Sequence, residues 1–194
     1  MKKMSNARHA GWFLAALMAS GASAQANQST FNEISEARAE QVNVMRDKGD
    51  DVGIGRYGLR MMDLVASGYV STDKGWKDPE TAVWTGKDGV SSLDDFEASD
   101  VAQGKAYDFY LQGALEHIKI QKPEISVKFD DRVMGAKDIL RFSAFAKPYE
   151  LVDVAVSGDI SALDNAAKRA GYDSGLELAR TVMDTRDKGY ELSM

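Results

Sequence analysis

Gly53-Ile54-Gly55-Arg56-Tyr57-Gly58-Leu59, running into Met61-Met62-Asp63-Leu64-Val65 and ending at Gly68-Tyr69, is the stretch on which the reading of this chain turns. Its apolar spacing predicts a helix over about 56–67 that buries Tyr57, Met61, Leu64 and Val65 and stops at Gly68. Upstream, Thr30-x-x-Glu33 has the form of a capping box, in which the threonine oxygen and the glutamate satisfy orphan amides at a helix start. A helix over about 31–47 is expected, with Phe31, Ile34, Val42 and Met45 toward one side and Gly49 as its end.

Downstream, residues 70–90 hold two tryptophans, a proline and several glycines and read as an ordered loop. Ser91-x-x-Asp94 opens a short helix through Phe96, and Asp100-x-x-Gln103 opens a longer one to about Lys119. Val101, Tyr107, Tyr110, Leu111, Ala114, Leu115 and Ile118 supply its buried face. Ile125-x-Val127-x-Phe129 alternates as a short strand does, with plain loop as the alternative. A helix over about 136–146 closes before Pro148, and 149–156 leans to helix over strand. Ser161-x-x-Asp164 and Ser174-x-x-Glu177 start two more helices, closed by Gly171 and Gly189. The expected fold class is mostly α, a single helical domain with at most a minor β element.

Residues 1–26 read as a signal peptide. Lys2, Lys3 and Arg8 precede the apolar run 12–19, and Ala22-Ser23-Ala24 offers the small residues a signal peptidase recognises. The run is too short to span a bilayer as a helix. Cleavage is expected after Ala24 or Ala26, leaving a domain over 27–194 in the periplasm or outside the cell, with no later membrane span. Lys plus Arg then falls from 24 to 21 against 30 Asp plus Glu, and the net charge moves from −6 to −9. Such an acidic surface excludes nucleic acid as a partner. The chain has no cysteine, hence no disulfide framework and no thiol nucleophile.

The stretch 53–69, taken with Trp84-Thr85-Gly86-Lys87-Asp88-Gly89, Asp95-Phe96 and Gln103, resembles the lysozyme-like, lytic-transglycosylase-like domains of exported bacterial and phage-associated proteins. Those domains carry Gly-x-x-Gly-x-Tyr-Gln, a helix ending in Leu, then Gly-Tyr, a tryptophan-rich loop, Trp-Thr-Gly-Lys-Asp-Gly, an Asp-Phe helix and a Gln. The resemblance covers roughly residues 40–106, and its Trp-Thr-Gly block is the specific part. It implies a peptidoglycan-directed protein that cleaves the glycan strand as a lytic transglycosylase or muramidase, with one glutamate as acid and base. Such an acid protonates the glycosidic oxygen and must be held neutral near pH 7 by an apolar, partly desolvated pocket.

By the resemblance, the acid falls seventeen residues before Tyr57, at Glu40, with Glu36 one turn earlier as the spare candidate. Tyr57, Tyr69, Trp76 and Trp84 are the residue types to line a sugar-binding groove, and Arg56 can take a carboxylate of the muramyl peptide or pair with Asp63. The alternative for Glu36 and Glu40 is a solvated helix face beside Arg38. The family's Glu-Ser-Gly-Gly reads Glu40-Gln41-Val42-Asn43 here, and its glutamine after Tyr57 is Gly58. These departures carry a second reading: a catalytically inactive lysozyme-like protein that binds glycan, or that binds or inhibits an envelope protein. The enzyme reading predicts a helix break close to Glu40, and the binding reading an unbroken helix with Glu40 exposed. No cofactor and no metal is expected: Asp47-x-x-Asp50-Asp51 and Asp184-x-x-Asp187 do not form an EF-hand loop, and His117 lacks partners in sequence.

Overall fold

The computed structural model describes residues 28–73 and 75–192. The expected signal peptide therefore lies outside the described residues. The chain is mostly α with a minor β element, as the sequence implies. Eight α-helices and one two-stranded sheet are present among the described residues: α1 (Gln28–Asp47), α2 (Met61–Ala66), α3 (Leu93–Ala98), α4 (Asp100–Gln121), β1 (Val127–Phe129), β2 (Arg132–Met134), α5 (Ala136–Arg141), α6 (Pro148–Ser157), α7 (Asp164–Ala170) and α8 (Gly175–Leu192). No described helix is long and apolar enough to cross a membrane.

The described residues divide into two compact units: 28–31 with 42–113, and 32–41 with 114–192. In the first, the buried residues include Leu59, Leu64, Tyr69, Val90, Phe96, Ala106, Tyr107 and Leu111. In the second they include Ile34, Leu115, Ile118, Phe129, Met134, Leu140, Phe142, Leu151, Leu163 and Leu178.

The expected helix over 56–67 is corrected to a turn followed by a short helix. Gly53, Gly55 and Gly58 all take positive φ (85°, 66° and 60°), which no helix allows. Ile54 and Leu59 pair across the resulting hairpin, Ile54 N–H to Leu59 O at 2.8 Å and Leu59 N–H to Ile54 O at 2.9 Å. Helix α2 then starts after Arg60, whose amide donates to Asp63 Oδ2 at 2.8 Å. Helix α1 is already running at Gln28, so Thr30 lies inside it and is not its cap. The α3 box sits one residue later than its first serine suggests: Ser92 Oγ accepts from Asp95 N–H at 3.1 Å, and Asp95 Oδ2 accepts from Ser91 N–H at 3.0 Å.

On α4, Val101 is exposed and not in the buried face, whose register runs through Ala102, Ala106, Tyr107, Leu111, Ala114, Leu115 and Ile118. The strand at 127–129 is present and pairs with β2, Lys128 opposite Val133, around a turn at Asp130 and Asp131. Pro148 opens α6 where the sequence suggested only a stop. Its missing N–H costs nothing at a first helical position, and Lys147 N–H donates to Glu150 Oε2 at 2.7 Å. The segment 149–156 is helical, as favoured. Helix α8 starts at the expected box, with Glu177 N–H donating to Ser174 Oγ at 3.2 Å, and runs past Gly189 to Leu192.

Candidate functional site

The blocks that carry the resemblance assemble in the first unit around Tyr69. Val70 pairs with Trp84, Ser71 N–H donates to Val83 O at 2.9 Å, and Thr85 N–H donates to Tyr69 O at 3.0 Å. The Thr85 hydroxyl donates to Gly68 O at 2.8 Å. Gly86 then turns the chain in the left-handed region (φ 78°), and Lys87 reaches back, donating to Ser67 O at 2.6 Å with its ammonium 4.7 Å from the Tyr69 ring centroid. Asp88 holds φ 52°, unusual for a residue with a side chain. Its carboxylate accepts from the Tyr69 hydroxyl at 2.7 Å and pairs with Lys105 Nζ at 2.6 Å. The edge of Phe96 packs against the Tyr69 ring at 5.3 Å between centroids, and Trp84 lies on Phe96 at 5.9 Å.

The electrostatics follow from these contacts. Burial, then the hydrogen bond to Asp88 and its charge, pushes the Tyr69 phenol well above the ordinary tyrosine range. The hydrogen bonds from Lys105 and from Tyr69 hold the Asp88 carboxyl below the usual carboxylate range. Trp-Thr-Gly-Lys-Asp-Gly is thus a clasp on Gly68-Tyr69. Tyr69 is fully buried, and this corrects its assignment as a sugar-stacking residue: it offers no face to a ligand.

The glycine-rich turn is closed by Gln103. Its Oε1 accepts from Arg56 N–H at 2.5 Å, and its Nε2 donates to Glu97 O at 2.8 Å. A Cβ on Gly55 would lie 2.3 Å from Gln103 Oε1, and one on Gly53 would lie 2.7 Å from Leu59 O. Arg46 adds a hydrogen bond to Gly55 O at 3.0 Å. Tyr57 is 8 % exposed and stacks on Tyr107 at 4.7 Å, and Tyr107 stacks in turn on Tyr110 at 5.6 Å. Tyr57 is therefore chiefly a packing residue as well. The Arg56 guanidinium is exposed, 5.7 Å from the Tyr57 ring. Tyr110 also lines a small apolar groove with Met62, Asp63, Ala66 and Phe109. Its space of about 30 Å³ takes a water or two and falls far short of a sugar ring.

Trp76 and Trp84 are half-buried, so each keeps part of its ring accessible. Trp76 has Lys77 Nζ 5.7 Å from its ring. Glu36 and Glu40 belong to the stretch of α1 in the second unit. Both are exposed, on a helix that continues without a break from Gln28 to Asp47. Of the acidic pairs considered for calcium, Asp184 and Asp187 are taken up by Arg132, and no group of three acidic or histidine side chains among the described residues is placed to hold a metal ion. Sequence reasoning named Asp88 as a motif member without a role and read Gln103 as part of a capping box; in the structure the Ser99 hydroxyl accepts from the Ala102 amide at 3.2 Å at the start of α4, and Gln103 and Asp88 are the two brackets of the first unit. Comparison with protein-family models, with curated proteins and with solved structures finds no match to this chain.

Proposed function

We propose that this chain is an exported, peptidoglycan-directed protein built on a lysozyme-like frame that binds and does not cleave. The observation that carries the reading is the unbroken α1 with Glu40 exposed in its middle. A glycosidase acid works from an apolar, desolvated pocket, and an exposed position on a regular helix supplies no such pocket. Glycine at 58 in place of glutamine removes a side chain that would hydrogen-bond sugar or orient the acid. The retained Gly-x-Gly turn, Gly-Tyr and Trp-Thr-Gly blocks serve packing, and packing persists when catalysis is lost.

On this reading the glycan contacts come from the accessible parts of Trp76 and Trp84, with Arg56 available to a peptide carboxylate. Co-sedimentation of residues 27–194 with insoluble peptidoglycan tests it. Retention is expected for the wild type and is expected to fall at least several-fold in Trp84→Ala or Trp76→Ala. A wild type that stays in the supernatant would overturn the glycan reading and leave an envelope protein as the partner. The competing enzymatic reading keeps Glu40 as acid, and a loss of fragment release confined to Glu40→Gln would favour it.

A further inference from the structure

We propose that the C-terminal half of α8, from Asp184 onward, is a strap latched by ion pairs over the β1–β2 hairpin, which opens independently of the half that anchors it. The inference does not depend on the functional reading above. The anchoring half of α8 and the stretch 184–188 that follows it are held by different forces. Leu178, Ala179 and Met183 are fully buried, so the first half is fixed by apolar packing. From Asp184 to Lys188 the side chains are charged or polar, and Asp184, Arg186 and Asp187 make ion pairs.

Arg132 of β2 pairs with Asp184 (Nη2 to Oδ1, 2.5 Å) and with Asp187 (Nε to Oδ2, 2.9 Å). Arg186 pairs with Asp187 at 2.6 Å and reaches Asp138 Oδ1 at 3.2 Å. The other Asp138 oxygen accepts from Gly135 N–H at 3.0 Å, where α5 begins. One strap residue thus shares the carboxylate that starts the next helix. At the head of the latch, Arg180 grips the hairpin turn, with its Nε 3.1 Å and its Nη2 3.3 Å from the two oxygens of Asp130. Asp130 sits at φ 49°, a conformation a non-glycine residue holds only when its surroundings fix it. The Arg180 hydrogen bond also holds the Asp130 carboxyl below its ordinary range, and Asp184 holds the Arg132 guanidinium more firmly protonated.

Partly exposed ion pairs are weak singly and screened by salt, whereas apolar burial is not weakened by it. Ionic strength is therefore the variable that separates the strap from its anchor. Release frees Arg132 and Arg186 together, while Arg180, in the anchoring half, keeps its hold on the turn.

The test is hydrogen exchange of the wild-type chain, read by mass spectrometry at about 10 mM and about 1 M sodium chloride, concentrations that span a tenfold change in screening length. The expected result is exchange about ten-fold faster at high salt over 184–192, with 176–183 unchanged. Arg132→Gln is expected to give the same pattern already at low salt. Exchange that is independent of salt, or that rises along the whole of α8 at once, would overturn the proposal. The wild-type salt series needs no variant, so a variant that fails to fold does not rescue the idea.

Discussion

Gln103 ties the glycine-rich turn to the end of α3 with two hydrogen bonds, so the first unit concentrates its vulnerability at one side chain. Gln103→Leu leaves the Arg56 amide and the Glu97 carbonyl without their partner, and we expect a loss of about 2–4 kcal/mol in urea unfolding. Gly55→Ala must displace the same side chain and hold a left-handed φ, at a similar or larger cost. Gly49→Ala shares the positive φ but meets open space, so it should cost only about 1 kcal/mol. Tyr69 carries a sign that can be checked. Its phenol is raised in the fold, so its contribution is complete below the ordinary tyrosine value near 10 and is lost as pH rises beyond it. Alkaline titration by ultraviolet absorbance should show one tyrosine ionising only as the protein unfolds, and that step should vanish in Tyr69→Phe. Asp108 has the same sign at acid pH: its half-buried carboxyl is pushed up by burial, with a hydrogen bond from Gln28 opposing, and its charged form weakens the fold. Asp108→Asn is expected to raise the melting temperature near pH 7, and that gain is expected to vanish below about pH 3, where the carboxyl is protonated in both states.

At the scale of elements, α1 decides most. Of the expected stripe, Phe31, Ile34 and Val42 are buried and Met45 is half-buried, Ala39 joins them unannounced, and Glu36 and Glu40 fall on the exposed remainder. We therefore expect Glu36→Gln and Glu40→Gln to leave stability within about 0.5 kcal/mol, while Ile34→Ala costs about 2–4 kcal/mol. Helix α6 depends on a charge instead. Glu150 is 2 % exposed and takes both the Lys147 amide and Arg169, at 2.7 and 2.6 Å. Arg169→Ala strands that buried carboxylate and should cost about 2–4 kcal/mol by thermal or urea unfolding. The sequence was a sound guide wherever apolar spacing ran long, as in α1 and α4. It misled at 56–67, where the spacing of Tyr57, Met61 and Leu64 suits a helix but Gly58 takes positive φ, as Gly53 and Gly55 do just before it. It missed β2 because the turn at Asp130-Asp131 lacks the Asn-Gly or Asp-Gly signal and is held by Arg180, fifty residues away. Pro148 showed the ambiguity of proline, which ends one helix and starts the next equally well.

For the whole molecule, the mostly α class with a small sheet was readable from periodicity and capping. The candidate site was legible only as a set of blocks, because burial is not written in a motif: Tyr69 and Trp84 stand equally well for a sugar platform or a packing post until their surroundings are known. The structure makes Tyr69 a post and leaves Trp84 half open. The central claim, a glycan-directed frame without a working acid, is tested most directly by measuring soluble fragments released from purified peptidoglycan. Residues 27–194 would be run beside Glu40→Gln, with the products read by mass spectrometry. We predict no release above the buffer level from either protein. Release by the wild type that disappears in Glu40→Gln would contradict the account, and the product masses would then separate hydrolysis from anhydro-sugar formation.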